Sequence, residues 1–278
     1  MTIGVFAAVL GAAFLHALWN AMIKVGGSKI GTMVILSIAE IPIGIAVVMF
    51  RPAIDPAAIP WVIGAGLTHF AYKFFLTYAY ERGDLSRVYP IARGAAPMVV
   101  ALVGAVYLVD AVAWQEYAGI AVLGFGILLM SRGVFTSGED RKLLPFALGS
   151  AAATATYTLI DGMGARISGE AVAYVAWVFI ADGVIFTTGM VALRGWGVIP
   201  RDGRSWRLGS AGSAASYGAY AVSIWAMTVA PIAVVAALRE TSILFAVLIG
   251  WLVFGERMTG EKALAATVIV AGVMLTRL

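Results

Sequence analysis

Two stretches of this 278-residue chain place charge among apolar residues. Tyr89-Pro90-Ile91-Ala92-Arg93-Gly94-Ala95-Ala96-Pro97 sets an arginine between prolines, ahead of the apolar run Met98 to Val109. The second, Ala236-Ala237-Leu238-Arg239-Glu240-Thr241-Ser242, lies 147 positions on and precedes the apolar run Ile243 to Phe254. A charge inside an apolar helix is costly and marks a polar pathway, a binding site or an ion pair. An arginine suits a carboxylate through paired hydrogen bonds, and a glutamate suits an amine. Arg93 and Glu240 facing each other would therefore make either a salt bridge or the two poles of a site for a zwitterion such as an amino acid. Arg239 and Glu240 are neighbours, about 100° apart on a helix, so only one points squarely at a shared centre. The sequence leaves open which.

Other polar residues fall into stripes at helical spacing. His16, Trp19, Asn20 and Lys24 share one face, and Thr154, Tyr157, Thr158 and Asp161 share another. Two more stripes are His69, Tyr72, Lys73 and Tyr80, and Ser213, Ser216, Tyr217 and Tyr220. Four such faces cannot all meet lipid, and a shared cavity with aromatic walls accommodates them. His16, Trp19, Asn20, Tyr72, Lys73, Tyr157, Asp161, Tyr217 and Tyr220 join Arg93, Arg239 and Glu240 as candidate substrate contacts. Tyr78, Tyr80 and Trp206 also suit an interfacial belt, and Lys24 can snorkel to its helix end. Glu40 and Asp182 each stand alone in the middle of the second segment of their half, and are candidates for proton coupling. Pro90, Gly94, Pro97 and Pro231 would supply bending points.

The elements that must carry these residues are membrane helices. The chain is 62% hydrophobic and 12% charged, with a mean hydropathy of +0.94. A soluble protein carries about 25% charged residues, so this composition cannot cover a water-facing surface. Without cysteine, disulfides, thiol chemistry and cysteine-ligated metals are excluded, and no motif calls for a cofactor. The net charge of +4 belongs to topology and anionic headgroups, not to nucleic acid. No basic leader region or lipidation motif opens the sequence.

At roughly 20 apolar residues per crossing, ten segments emerge, at about 3–24, 31–50, 58–80, 87–109, 113–131, 143–164, 170–193, 206–229, 232–254 and 261–276. The connections are short, so all ten belong to one all-α bundle. An offset of 147 lays Arg93 on Glu240, and an offset of 138 lays His16, Trp19 and Asn20 on Thr154, Tyr157 and Thr158. Five segments per copy is an odd number, so the second copy (residues 140–278) enters the membrane from the side opposite to the first (1–135). That is the inverted repeat of many secondary transporters. Thirteen lysines and arginines flank the odd-numbered loops against three on the other side, which predicts cytoplasmic odd loops and both termini outside. Gly119, Gly124, Gly126 and Gly272 give the fifth and tenth segments a scaffold face or a close-packed dimer face.

The segments YPIARGAAP, ALRETSILFAVLIGWLVFGERM and AATVIVAGVMLTRL resemble EamA-type drug/metabolite transporters, and the similarity runs through both halves. The most specific part is the repeated close of each half: an apolar helix, a short loop with Asp110 or Glu256-Arg257, and a glycine-containing helix. The resemblance implies a ten-helix inverted-repeat carrier in the bacterial cytoplasmic membrane that exports small metabolites, amino acids or amphipathic toxic compounds. Its cavity would be lined by segments 1, 3, 4, 6, 8 and 9.

Other classes fit less well. An enzyme would need a nucleophile–base pair or metal ligands, yet there are two histidines, on different segments, and no HExxH, GxSxG or phosphate-loop motif. A channel would need rings of like groups along a pore. Two halves with central charges of mixed sign favour alternating access, by uniport or proton antiport, over a channel, a lipid flippase or a toxic-cation efflux carrier. Expected partners are a small-molecule substrate, the bilayer and protons, with the chain a monomer or weak homodimer.

Overall fold

The computed structural model describes residues 1–25, 28–80, 93, 96–108, 110–136, 142–255 and 258–277. Eleven α-helices form among them: α1 (Ile3–Val25), α2 (Lys29–Met49), α3 (Ile59–Tyr80), α4 (Ala96–Tyr107), α5 (Trp114–Thr136), α6 (Leu143–Ser168), α7 (Ala171–Arg194), α8 (Gly203–Val229), α9 (Ile232–Arg239), α10 (Ser242–Phe254) and α11 (Gly260–Leu275). α9 and α10 together make one span, so the helices give ten crossings. Five of these spans are both long and apolar enough to cross a bilayer: α1, α2, α6, α7 and the joined α9–α10.

Helix ends follow local chemistry. Ser28, Glu170, Asp202 and Thr259 each accept a hydrogen bond from a backbone N–H of the first turn they cap, which supplies donors that a helix start otherwise leaves unpaired. The bond from Ser205 N–H holds the Asp202 carboxyl below the usual range. It also starts α8 earlier than the apolar run suggests. α6 and α10 stop at Gly169 and Gly255, whose φ values of 71° and 65° suit glycine.

Packing gives the symmetry. α1 lies against α8 and α3 against α6, while α2 pairs with α7, α4 with α9 and α5 with α11. Exchanging each span with the one five places on converts the first pair into the second and returns each of the other three to itself. A pseudo-two-fold axis therefore relates the halves, in two inverted five-helix repeats. The 147-residue offset carries α10 onto residues 95–107, the extent of α4 to within one residue.

The ninth segment differs from its expected form. The sequence predicts one continuous helix over 232–254, but the chain turns at Glu240 and Thr241. There Glu240 N–H donates to Ala237 O and Thr241 N–H to Leu238 O, each at 3.0 Å. These are tighter, 3-10-type bonds, and a mid-span stretch of this kind commonly marks a functional hinge. Four consecutive polar residues, Arg239 to Ser242, coincide with the break.

The glycines of α5 and α11 face each other within the chain, which settles the choice between scaffold and dimer face. A β-carbon on Gly272 would lie 2.5 Å from Leu123 N and 2.8 Å from Gly119 O, and one on Gly126 would lie 2.9 Å from Ile269 N. Gly124 instead makes room for Met98. Gly272→Leu should force the helices apart and cost about 1–3 kcal/mol. Thermal unfolding in detergent checks this, with Gly4→Leu, where nothing lies within 4 Å, as the silent control.

A charged centre held by a broken helix

Arg93, just ahead of α4, is wholly buried and reaches Glu240 at the α9–α10 turn. Its Nε donates to Glu240 Oε2 and its Nη2 to Oε1, both at 2.7 Å. This is the bidentate geometry that arginine's planar fork favours. Inverted halves bring together residues 147 positions apart because each sits at the same place in its own repeat.

His16 of α1 completes this corner. Its Nε2 lies 3.0 Å from Arg93 Nη1, and its Nδ1 lies 3.2 Å from Trp19 Nε1. Both neighbours are donors, and a neutral imidazole has one lone pair, so His16 can serve only one of them. Asn20 turns back on its own helix, donating to His16 O at 2.8 Å.

Arg239 has a different environment. It is 4% exposed, yet the described residues place no carboxylate in salt-bridge contact with it. Nη2 donates to Tyr157 Oη at 3.2 Å, Cζ lies 5.3 Å from the Tyr220 ring and 5.9 Å from the Tyr157 ring, and Nη1 is buried without a hydrogen-bond partner. A buried cation resting on aromatic faces is partly compensated. An unpaired guanidinium N–H still leaves its own desolvation cost in place.

Beside it lies a second polar knot. Asp161 of α6, fully buried, accepts from Tyr174 Oη of α7 at 3.0 Å and from Tyr220 Oη of α8, with His69 Nε2 of α3 at 2.9 Å. Three partners thus converge on the Asp161 carboxylate, two on Oδ2 and one on Oδ1. His69 stacks on Tyr157 at 4.3 Å between ring centroids, and Tyr72 meets Tyr157 edge-on at 5.4 Å. The aromatic stripes of α3, α6 and α8 thus touch one another directly.

The remaining predicted residues lie elsewhere. Lys73 sits away from Arg93: its Nζ bonds Glu40 Oε2 at 2.7 Å, Ser37 Oγ at 2.9 Å and Asp182 Oδ2. Glu40 and Asp182 are therefore not isolated acids, as the sequence suggests, but partners of one lysine. Tyr217 donates to Val172 O at 3.2 Å, towards one end of the bundle. Pro97 occupies the first turn of α4, where a proline costs no helical bond. Pro231 precedes α9, whose Ile232 N–H donates to Asp110 Oδ2 at 2.9 Å. Pro90 and Gly94 lie outside the described residues. So do Glu256, Arg257 and the part of the fourth segment before Arg93.

Sequence reasoning leaves His69, Tyr174 and Ser37 out of its candidates. His69 is flagged by its spacing with Lys73, and Ser37 by its spacing with Glu40, but only tertiary packing shows that His69 and Tyr174 meet Asp161 and that Ser37 meets Lys73. Asp110 and Arg166 form a further pair, with Arg166 Nη1 2.7 Å from Asp110 Oδ1 and Arg166 Nε donating to Met227 O at 2.9 Å. It ties the ends of α6 and α8 to the start of α9.

Residues 141–278 match the EamA-like transporter family. The chain carries an EamA-like transporter domain. Those residues form a domain of a family of carriers rather than enzymes, and the chain is a multi-pass integral membrane protein. A crystal structure of another protein, 19% identical, superposes with a TM-score of 0.73 over 99% of this chain and 96% of that one. That likeness shows the fold and extends it across both halves. No curated protein matches the sequence significantly. A small-molecule substrate and the bilayer follow as partners of an EamA transporter.

Proposed function

We propose that the protein exports small polar metabolites, amino acids or related zwitterions, across the cytoplasmic membrane by alternating access, with Arg239 receiving the solute's carboxylate. One observation carries this reading: Arg239 is buried at a helix break with an unpartnered N–H, while the neighbouring carboxylates Glu240 and Asp161 are engaged by other residues. Such a centre favours an anionic group over a bare cation. Discontinuous helices whose ends meet near the midplane are a common way to hold a carboxylate in secondary carriers.

The solute would lie against Tyr72, Tyr157 and Tyr220, with His16, Trp19 and Asn20 on the Arg93 side. Pro231 and the Glu240–Thr241 turn are the described bending points. Arg93, Glu240, Asp161 and Arg239 are all at most 4% exposed, as in a state closed to both sides. Driving force by uniport or by proton antiport is compatible with these contacts. A reconstituted-liposome screen of amino acids and organic cations, with and without a pH gradient, tests the reading. Uptake of amino acids is expected. Uptake confined to the cations would overturn it in favour of an amphipathic-cation efflux carrier.

A further inference from the structure

The cluster around Lys73 lies on the pseudo-two-fold axis, apart from the Arg239 centre. Glu40 comes from α2 and Asp182 from α7, the mutually paired second spans of the two halves, and both bond the Nζ of Lys73 from α3. All three are buried: Lys73 is 4% exposed, Glu40 1% and Asp182 0%. Two carboxylates and one ammonium sum to a charge of −1, in a place where no water-facing surface can disperse it.

Two further atoms carry the argument. Glu40 Oε1 and Asp182 Oδ1 are both buried with no hydrogen-bond partner, so each carboxyl spends one oxygen on Lys73 and leaves the other unmet. Charges on the elements packed around the cluster are engaged or remote. On α6, Asp161 bonds Tyr174, Tyr220 and His69, and Arg166 bonds Asp110. On α3, His69 belongs to that Asp161 knot. The charges of α8, Arg204 and Arg207, lie in its first turns. On α2 and α7, Lys29 and Arg194 sit at helix ends. Ser37 supplies an acceptor for Lys73, and Phe186 lies under the ammonium at 5.7 Å. Nothing described in the surroundings neutralises the excess negative charge.

We propose that Glu40, Asp182 and Lys73 form a proton-binding site in which the two carboxyls share a single exchangeable proton. That proton brings the cluster to neutrality. Like charges side by side in low dielectric cannot both ionise cheaply, and one proton between them gives the otherwise unmet oxygens a donor. Since the acids come from opposite halves, losing the proton puts charge on the contact that joins those halves. The site would hold whatever solute is carried, so its test does not depend on the substrate.

Infrared spectra of the full-length protein in lipid nanodiscs provide the test. The wild type should show a protonated-carboxyl C=O band that shifts in D₂O. Glu40→Gln and Asp182→Asn should each abolish that same band, whereas Asp161→Asn should keep it. If either amide variant does not fold, Glu40→Asp and Asp182→Glu retain both carboxyls and should shift the band without removing it. No such band in the wild type, one that does not shift in D₂O, one that survives both amide variants, or one unmoved by both conservative variants would overturn the proposal.

Discussion

Glu240→Leu should destabilise the protein more than Arg93→Leu does, although each removes half of one ion pair. The pair is buried and bidentate, with both hydrogen bonds at 2.7 Å. Removing one member of a buried pair typically costs about 3–5 kcal/mol, because an uncompensated charge stays behind. The two remnants differ in their escape. A carboxyl left alone in an apolar interior can discharge itself by taking up a proton, whereas a guanidinium cannot lose one under ordinary conditions. In Arg93→Leu the remaining carboxyl relieves itself. In Glu240→Leu, Arg93 stays charged beside the His16 ring at 3.0 Å, having lost both of its bonds to the carboxylate. The double Leu variant removes both charges and should recover most of the lost stability. Thermal unfolding of the four proteins in one detergent reads this as a cycle. Equal and additive losses would show that the pair does not act as a unit.

The second large effect concerns Arg239. Arg239→Met should leave the fold intact and reduce affinity for a carboxylate-bearing solute by about 30- to 700-fold. That range corresponds to about 2–4 kcal/mol for a buried charge-assisted contact. The fold should tolerate the change because Arg239 has no ionic partner to orphan: it lies on the Tyr157 and Tyr220 rings, and methionine retains much of that packing. Arg239→Lys should restore little, since a lysine lacks the planar fork that grips both oxygens of a carboxylate. Radioligand binding to the purified protein separates this outcome from misfolding, provided the melting temperature is measured on the same samples. Unchanged affinity in a stable Arg239→Met protein would remove Arg239 from the binding site.

Much of the architecture is readable from residue types alone. Apolar runs punctuated by glycine, proline and charge place the described ends of the spans to within about five residues, the start of the fourth lying outside the described residues, because bilayer thickness fixes helix length. The 147-residue offset sets Arg93 against Glu240, since inverted copies bring equivalent positions to a common axis. Reading becomes harder where three helices meet. Spacing shows that Lys73 shares a face with His69, but not that the neighbours at Lys73 are α2 and α7 while those at His69 are α6 and α8. One helical turn separates two different networks. Tyr174 is hard to read for the same reason: its value lies in meeting Asp161 across an interface. The turn at Glu240 follows from local polarity competing with helix continuation, and the apolar runs on both sides mask it.

The most direct measurement pairs a change in the solute with a change in the protein. Wild type and Arg239→Met, in liposomes, would be offered an amino acid that the wild type transports and the corresponding amine lacking the carboxylate. Wild type should strongly prefer the amino acid, and Arg239→Met should lose that preference, so that the two solutes are handled alike. A variant that keeps the full preference for the carboxylate would contradict the assignment of Arg239 as the solute's anchor.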